Sequence, residues 1–177
     1  MRSSSALIVA IAGACALVAN AQESPGLGVP ATPEQIAGWD VSIGPDGEGL
    51  PPGSGTAAAG KAVYEAKCLA CHGAEGAGQP NDRLVGGQGT LREAAPIRTI
   101  GSYWPYATTV FDYIRRAMPY VTPHSLTADE TYAVTAYLLA LNGIIGQAEV
   151  MDAASLPKVV MPNRDNFDSA YREPRRR

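Results

Sequence analysis

The chain has 177 residues, of which 46% are hydrophobic and 18% charged, with a formal charge of -3; this is the composition of an ordinary globular protein rather than a disordered or fibrous one. Lys and Arg total 14 against 17 Asp and Glu, and four of the 14 are Arg172, Arg175, Arg176 and Arg177 at the extreme C-terminus, so the footprint of a nucleic-acid binder is missing. With 7% aromatic residues, 19 Gly and 14 Pro, one domain is expected, with a small core and much irregular connecting chain.

Met1 and Arg2 precede an apolar stretch from Ala6 to Ala19, shorter than the roughly 20 residues that a helix needs to cross a bilayer core. It ends in Ala19-Asn20-Ala21, the small-x-small pattern of signal peptidase, so residues 1–21 read as a cleaved secretory signal. The mature chain then starts at Gln22 in the periplasm, with no membrane span. Two other readings stay open: a lipid-modified Cys15, since Ala12-Gly13-Ala14-Cys15 loosely resembles a lipoprotein cleavage box, and an uncleaved N-terminal anchor. Residues 22–53 form a Gly/Pro-rich arm in which Thr32-Pro33-Glu34-Gln35 starts a short turn of helix through Trp39. Ile36, Trp39, Val41, Ile43 and Leu50 make this arm too apolar for a simple linker; it packs over its own domain or docks on another protein.

Thr56 to Lys67 reads as a helix: Thr56 is a suitable N-cap, the segment is rich in Ala, and Val63 and Tyr64 supply a narrow apolar face. It leads into Cys68-Leu69-Ala70-Cys71-His72. Once Cys15 leaves with the signal, these are the two cysteines that remain. A redox disulfide of the thioredoxin type needs a preceding strand, which is not present in the pattern. Zinc needs four ligands, and His124 is the one other histidine. Covalent haem attachment meets neither objection: cysteines at i and i+3 share a helix face and reach two vinyl groups, and the next residue places its imidazole over the iron.

A sixth ligand would come from Met118, Met151, Met161 or His124. Met118 is favoured because Pro105 to Ala117 reads as a helix with Val110, Phe111, Ile114 and Ala117 on one face, and Met118-Pro119 ends it. A methionine is also a common core filler. His124 lies between Pro123 and Ser125 in a polar loop, and Met161-Pro162 lies in a tail. Before this helix, Arg83 to Trp104 lacks periodicity and reads as loops round the haem edge; Arg98, Tyr103 and Trp104 are candidates to pair with haem propionates. The carbonyl of Pro80 or a neighbour is the expected acceptor for the second ring nitrogen of His72.

A last helix is expected from Ala128 to Asn142, opened by the capping box Thr127-Ala128-Asp129-Glu130 and stopped by Gly143. Its apolar stripe should pack on Gly60 and Tyr64, with Gly60 allowing close approach. The chemistry-bearing segment is thus residues 54–145. Residues 146–177 form a C-terminal extension whose Leu156, Val159, Val160, Met161 and Phe167 either pack on the domain or meet a partner.

Several runs resemble one family. They are Trp39-Asp40, Pro45-Asp46-Gly47-Glu48-Gly49-Leu50-Pro51-Pro52-Gly53-Ser54-Gly55-Thr56, Cys68-Leu69-Ala70-Cys71-His72-Gly73, Gly86-Gly87-Gln88-Gly89-Thr90-Leu91, Thr99-Ile100-Gly101-Ser102-Tyr103-Trp104-Pro105-Tyr106 and Met161-Pro162-Asn163-Arg164-Asp165. Over roughly residues 25–168 the chain is similar to the haem c subunits that serve bacterial molybdenum sulfite and sulfane dehydrogenases. The resemblance implies an all-α, class I cytochrome c-like fold, about three main helices round one haem c, with Cys68 and Cys71 as thioether sites, His72 as proximal ligand and Met118 as distal ligand. Sulfane dehydrogenase cytochromes are often longer, with a second haem region; a single attachment motif points to a small sulfite-type subunit or a stand-alone relative.

The expected function is electron transfer. A molybdenum-cofactor oxidoreductase subunit takes two electrons from sulfite or a sulfane sulfur, and this chain accepts them singly and passes them to a downstream cytochrome c. No free base, nucleophile pair or open metal position is visible that would make the chain an enzyme by itself. The alternatives are a free diffusible carrier without a dedicated enzyme, with arm and tail folded on its own domain, and a haem enzyme with an open distal site.

Overall fold

A computed structural model describes residues 27–168. The expected signal, Cys15 and the C-terminal arginines lie outside the described residues. The chain divides after Trp39 into two units. In the first, helix α1 spans Pro33–Trp39. Thr32 caps it: Gln35 N–H donates to Thr32 Oγ1 at 3.3 Å, and Thr32 N–H donates to Gln35 Oε1 at 2.9 Å, the reciprocal bonds that the Thr-Pro-Glu-Gln run predicts.

The second unit opens with turns that fold the rest of the arm inward. Ile43 is buried and Leu50 packs against the core, while Tyr132 Oη donates to the Pro51 carbonyl at 2.9 Å. Strand β1, Ser54–Thr56, then pairs antiparallel with β2, Val150–Asp152, in the register Ser54↔Asp152, Gly55↔Met151 and Thr56↔Val150. The sequence carries no alternation long enough to announce this ribbon, because three residues are below the length at which a period can be read.

Helix α2 covers Ala57–Lys67 and starts at Thr56, whose Oγ1 accepts the Ala59 N–H at 3.3 Å. The last helix, α5, covers Ala128–Leu141 with the full capping box between Thr127 and Glu130, and Asn142 is its C-cap. These two helices pack at a very short distance. A Cβ placed on Gly60 would lie 1.8 Å from the Ala133 carbonyl oxygen, so only hydrogen fits there. Tyr64 and Tyr137 close the contact with ring centroids 5.4 Å apart. Ten of the fourteen α5 residues, Thr131 to Ala140, are buried, so α5 forms the central rod of the domain.

Helix α4 spans Ala107–Ala117 and packs across α5, with Phe111 and Tyr132 centroids 4.4 Å apart. It begins two residues later than the expected Pro105, since Tyr106 is still extended (φ -137°, ψ 136°) and acts as N-cap. Helix α3, Leu69–His72, is a single turn between α2 and the following loops. The tail returns to the core: Met151, Leu156 and Met161 are buried, whereas Val160 and Phe167 are exposed. Leu156–Lys158 forms a 3-10 turn. Among the described residues no helix is long and apolar enough to cross a membrane.

Candidate haem site

The Cys-x-x-Cys-His run straddles two helices. Cys68 ends α2, its N–H bonded to the Tyr64 carbonyl at 2.8 Å, and its φ of -124° turns the chain into α3, where the Cys71 and His72 N–H groups both reach the Cys68 carbonyl. Both thiols are free. Burial pushes the Cys68 thiol up to about 11, against the opposing pull of Lys67, so at ordinary pH it is a neutral thiol on an apolar wall.

That wall bounds a cavity of about 560 Å³, within the size range of cofactor sites. Cys68, Cys71, His72 and Met118 all line it, and its far side is built from Ile100, Val110, Ile114, Val134 and Leu138. The helices dictate this: Val110 and Ile114 are one turn apart on α4, and Val134 and Leu138 one turn apart on α5, so each helix offers a two-residue apolar panel. Met118 follows where α4 stops, in extended conformation (φ -123°, ψ 145°), which carries its thioether out of the helical path and onto the cavity.

His72 is oriented from behind. Its Nδ1 lies 2.8 Å from the Asp82 carbonyl oxygen; a carbonyl can only accept, so Nδ1 donates and Nε2 is the ring nitrogen left for a metal. Of the expected Pro80 or a neighbour, the acceptor is a neighbour, two residues past Pro80. Gln79 N–H bonds to the Asn81 carbonyl and Asn81 N–H to the Cys71 carbonyl, both at 2.8 Å, a tight turn that puts Pro80 at its tip and leaves Asp82 to face the ring. The preceding turn is pinned too: Gly78 N–H donates to the His72 carbonyl at 2.8 Å, and Tyr64 Oη donates to the Gly73 carbonyl at 2.7 Å. Burial raises the Tyr64 phenol to about 12, so it stays a donor across the physiological range.

The other candidates separate. Arg98 and Trp104 line the cavity, Trp104 edge-on to Tyr113 with centroids 5.6 Å apart. Tyr103 does not line it. Its ring lies beneath the Arg98 guanidinium at 5.6 Å and against Phe167, because the Thr99–Ser102 turn, closed by Thr99 N–H to Ser102 Oγ at 2.9 Å, aims it toward the C-terminal tail. Among the rival ligands, Met151 and Met161 are buried in the core and do not line the cavity. His124 sits in an exposed turn with φ 61°, also away from it. Sequence reasoning missed Arg83 and Lys67 on the wall, and it located the acceptor behind the imidazole only as Pro80 or a neighbour. Lys67 is engaged with Glu130 at 2.7 Å, so Arg83 and Arg98 are the remaining cations facing anything acidic at the rim.

A family model for cytochrome c matches residues 57–142, the stretch from the first residue of α2 to the C-cap of α5. The chain belongs to the cytochrome c family. Within it, the chain sits with the Sox-type cytochrome subunits: it is 44% identical to a chain in the crystal structure of the sulfane dehydrogenase SoxCD from Paracoccus pantotrophus, with a TM-score of 0.79, covering 82% of this chain and 72% of that one. No curated protein matches. Membership implies a c-type haem, and the donor set fits one: an imidazole with Nε2 free, a thioether, two unpaired thiols three positions apart and an apolar hollow all meet in one place.

Proposed function

We propose that the chain is an exported electron-transfer cytochrome carrying one covalently attached haem c. It accepts single electrons from a molybdenum-cofactor sulfite or sulfane dehydrogenase subunit and yields them to a downstream periplasmic cytochrome. The observation that carries this is the convergence of His72, Met118, Cys68 and Cys71 on one apolar cavity. Cys68 and Cys71 would hold the group by thioethers, His72 through Nε2 and Met118 through sulfur would ligate its iron, and Arg83 and Arg98 would balance its carboxylates. When bound, the haem supplies a reversible one-electron couple whose potential a thioether ligand raises.

The residues of this chain do the rest. The Asp82 carbonyl fixes the tautomer and direction of His72. Tyr64 holds the turn after it, and the panels from α4 and α5 keep water from the hollow. The solved relative is a sulfane dehydrogenase, which weighs toward a sulfane-type donor over the sulfite type that the single attachment motif suggests. The tail supports a second reading as a free carrier, since Met151, Leu156 and Met161 are buried in the chain's own core.

Expression with its leader in a host that matures c-type cytochromes tests both. A red periplasmic protein with one haem per chain, a low-spin six-coordinate spectrum and a sulfur-to-iron band is expected; colourless protein overturns the reading. Elution with an added molybdenum dehydrogenase subunit in gel filtration, as against alone, decides between subunit and free carrier.

A further inference from the structure

We infer that Asn142, the C-cap of α5, is a positioning residue for His72, because it fastens the loop whose backbone aims the imidazole. The inference rests on His72 being the iron ligand, as proposed above.

Asn142 lies far along the sequence from His72, and its side chain reaches the loop that follows the haem motif. Its Nδ2 donates to the Leu84 carbonyl at 3.3 Å and to the Leu138 carbonyl of α5 at 2.8 Å. Its Oδ1 accepts the Gly86 N–H at 2.9 Å, and its own backbone carbonyl accepts Gln88 Nε2 at 3.1 Å. One amide therefore satisfies a donor and an acceptor two residues apart on one strand of loop, a task that neither a carboxylate nor an aliphatic side chain can perform. The fit is close: a Cβ on Gly101 would stand 2.1 Å from Asn142 Oδ1, so the loop on the other side has given up its side chain to admit the amide.

The fastened segment leads straight to the imidazole. Leu84 N–H and Val85 N–H both donate to the Gly76 carbonyl, at 2.9 and 3.3 Å, and the Leu84 carbonyl also accepts Ile100 N–H at 3.2 Å. Leu84 is thus clamped between the turn after His72 and the end of α5. Asp82, two residues upstream, presents its carbonyl to His72 Nδ1 at 2.8 Å. Without the amide, Gly86 N–H is orphaned and Leu84 loses one of its two carbonyl partners. The loop then relaxes and Asp82 no longer holds the Nδ1 proton at fixed distance. A ligating imidazole that donates this bond is more basic and favours the oxidised iron; weakening the bond shifts the couple toward the reduced form.

The test uses the full-length holoprotein. Asn142→Ala should attach haem and keep both iron ligands, yet show a raised midpoint potential and faster hydrogen exchange at the His72 ring N–H by NMR, while Gln88→Ala, which removes the outer bonds to the Asn142 carbonyl and, at 3.5 Å, to Oδ1 but leaves the amide's bonds to Leu84 and Gly86, should leave both readouts at the wild-type value. A variant that melts lower with potential and ring exchange unchanged would reduce Asn142 to a helix cap and overturn the inference. Should Asn142→Ala fail to mature, Asn142→Asp keeps the acceptor for Gly86 and loses the donor to Leu84, and the same readouts apply. In the unmutated protein the Gly86 amide and the His72 ring N–H should exchange through one opening event with matching protection; a freely exchanging Gly86 beside a fully protected His72 refutes the link without any substitution. Colourless wild-type protein would instead strike the haem reading itself, so the two failures are distinct.

Discussion

The two flanks of the cavity each present one ligand-type side chain and hold it in opposite ways. On the His72 flank, the ring, the residue after it and the loop behind it are bonded to Asp82, Tyr64, Gly78 and, through the loop, α5. On the Met118 flank, Met118 N–H bonds to Ile114, Thr122 N–H to Pro119, and Ser125 Oγ to Thr122 Oγ1, while Tyr120 and Val121 stand 81% and 84% exposed. One flank is a hydrogen-bonded net and the other a short span hung from a helix end. Rigidity here follows hydrogen-bond connectivity, since neither ligand is deeply buried: His72 and Met118 are both half-buried.

The largest test of this contrast is removal of each ligand. His72→Ala should abolish the low-spin spectrum and most of the recovered holoprotein, because the net is built around that ring. Met118→Ala should keep attachment and fold but lose the sulfur-to-iron band, bind carbon monoxide readily and lower the potential, all read by absorption spectroscopy and redox titration. Equal damage from both would erase the distinction between the flanks.

A smaller effect is expected at Tyr64. Tyr64→Phe leaves the Gly73 carbonyl without its donor in a part-buried place and should cost about 1–3 kcal/mol in urea unfolding, with little change in carbon monoxide access on the Met118 side. Thr127→Ala, which dismantles the capping box of α5, should cost about 1 kcal/mol and serves as a control for general destabilisation.

The smallest effect is the pH response of the Lys67–Glu130 pair at the cavity rim. The Lys67 hydrogen bond holds the Glu130 carboxyl below its ordinary 4.5, helped by the Thr127 N–H. A depressed folded value means that the stabilisation is complete above 4.5 and is lost as pH falls below it through the folded value. The pair is partly exposed, its side chains 34% and 30% accessible, and solvent screens it, so the loss should be below about 1 kcal/mol. Glu130→Gln should flatten the acid limb of a Tm-against-pH curve without altering the visible spectrum at neutral pH.

How much of this could be read beforehand depends on whether the signal was local. Thr56, the Thr127–Glu130 box and the Thr32–Gln35 box are contacts over three residues, and each formed at the position expected. The close meeting of Gly60 with α5 was legible as well, because a glycine inside an Ala-rich helix needs a packing reason. The acceptor behind His72 was legible only as Pro80 or a neighbour, since a backbone carbonyl has no residue signature and the choice of Asp82 depends on a turn made by Gln79 and Asn81. Tyr103 was misplaced for a similar reason: loop residues 99–104 have no period to say which face a side chain takes, and the Thr99–Ser102 bond decided it. The β1–β2 ribbon joins positions at opposite ends of the domain, beyond the reach of any window along the chain.

That ribbon also sets an order of events. The cysteines at 68 and 71 leave the ribosome well before Val150–Asp152, so β1 has no partner, and the start of α2 no clasp, until nearly the whole domain has been delivered. Pairing between such distant segments forms late. The nascent chain therefore passes through a stage with both thiols open to solvent and to whatever must reach them, and the arrival of a three-residue strand brings that stage to a close.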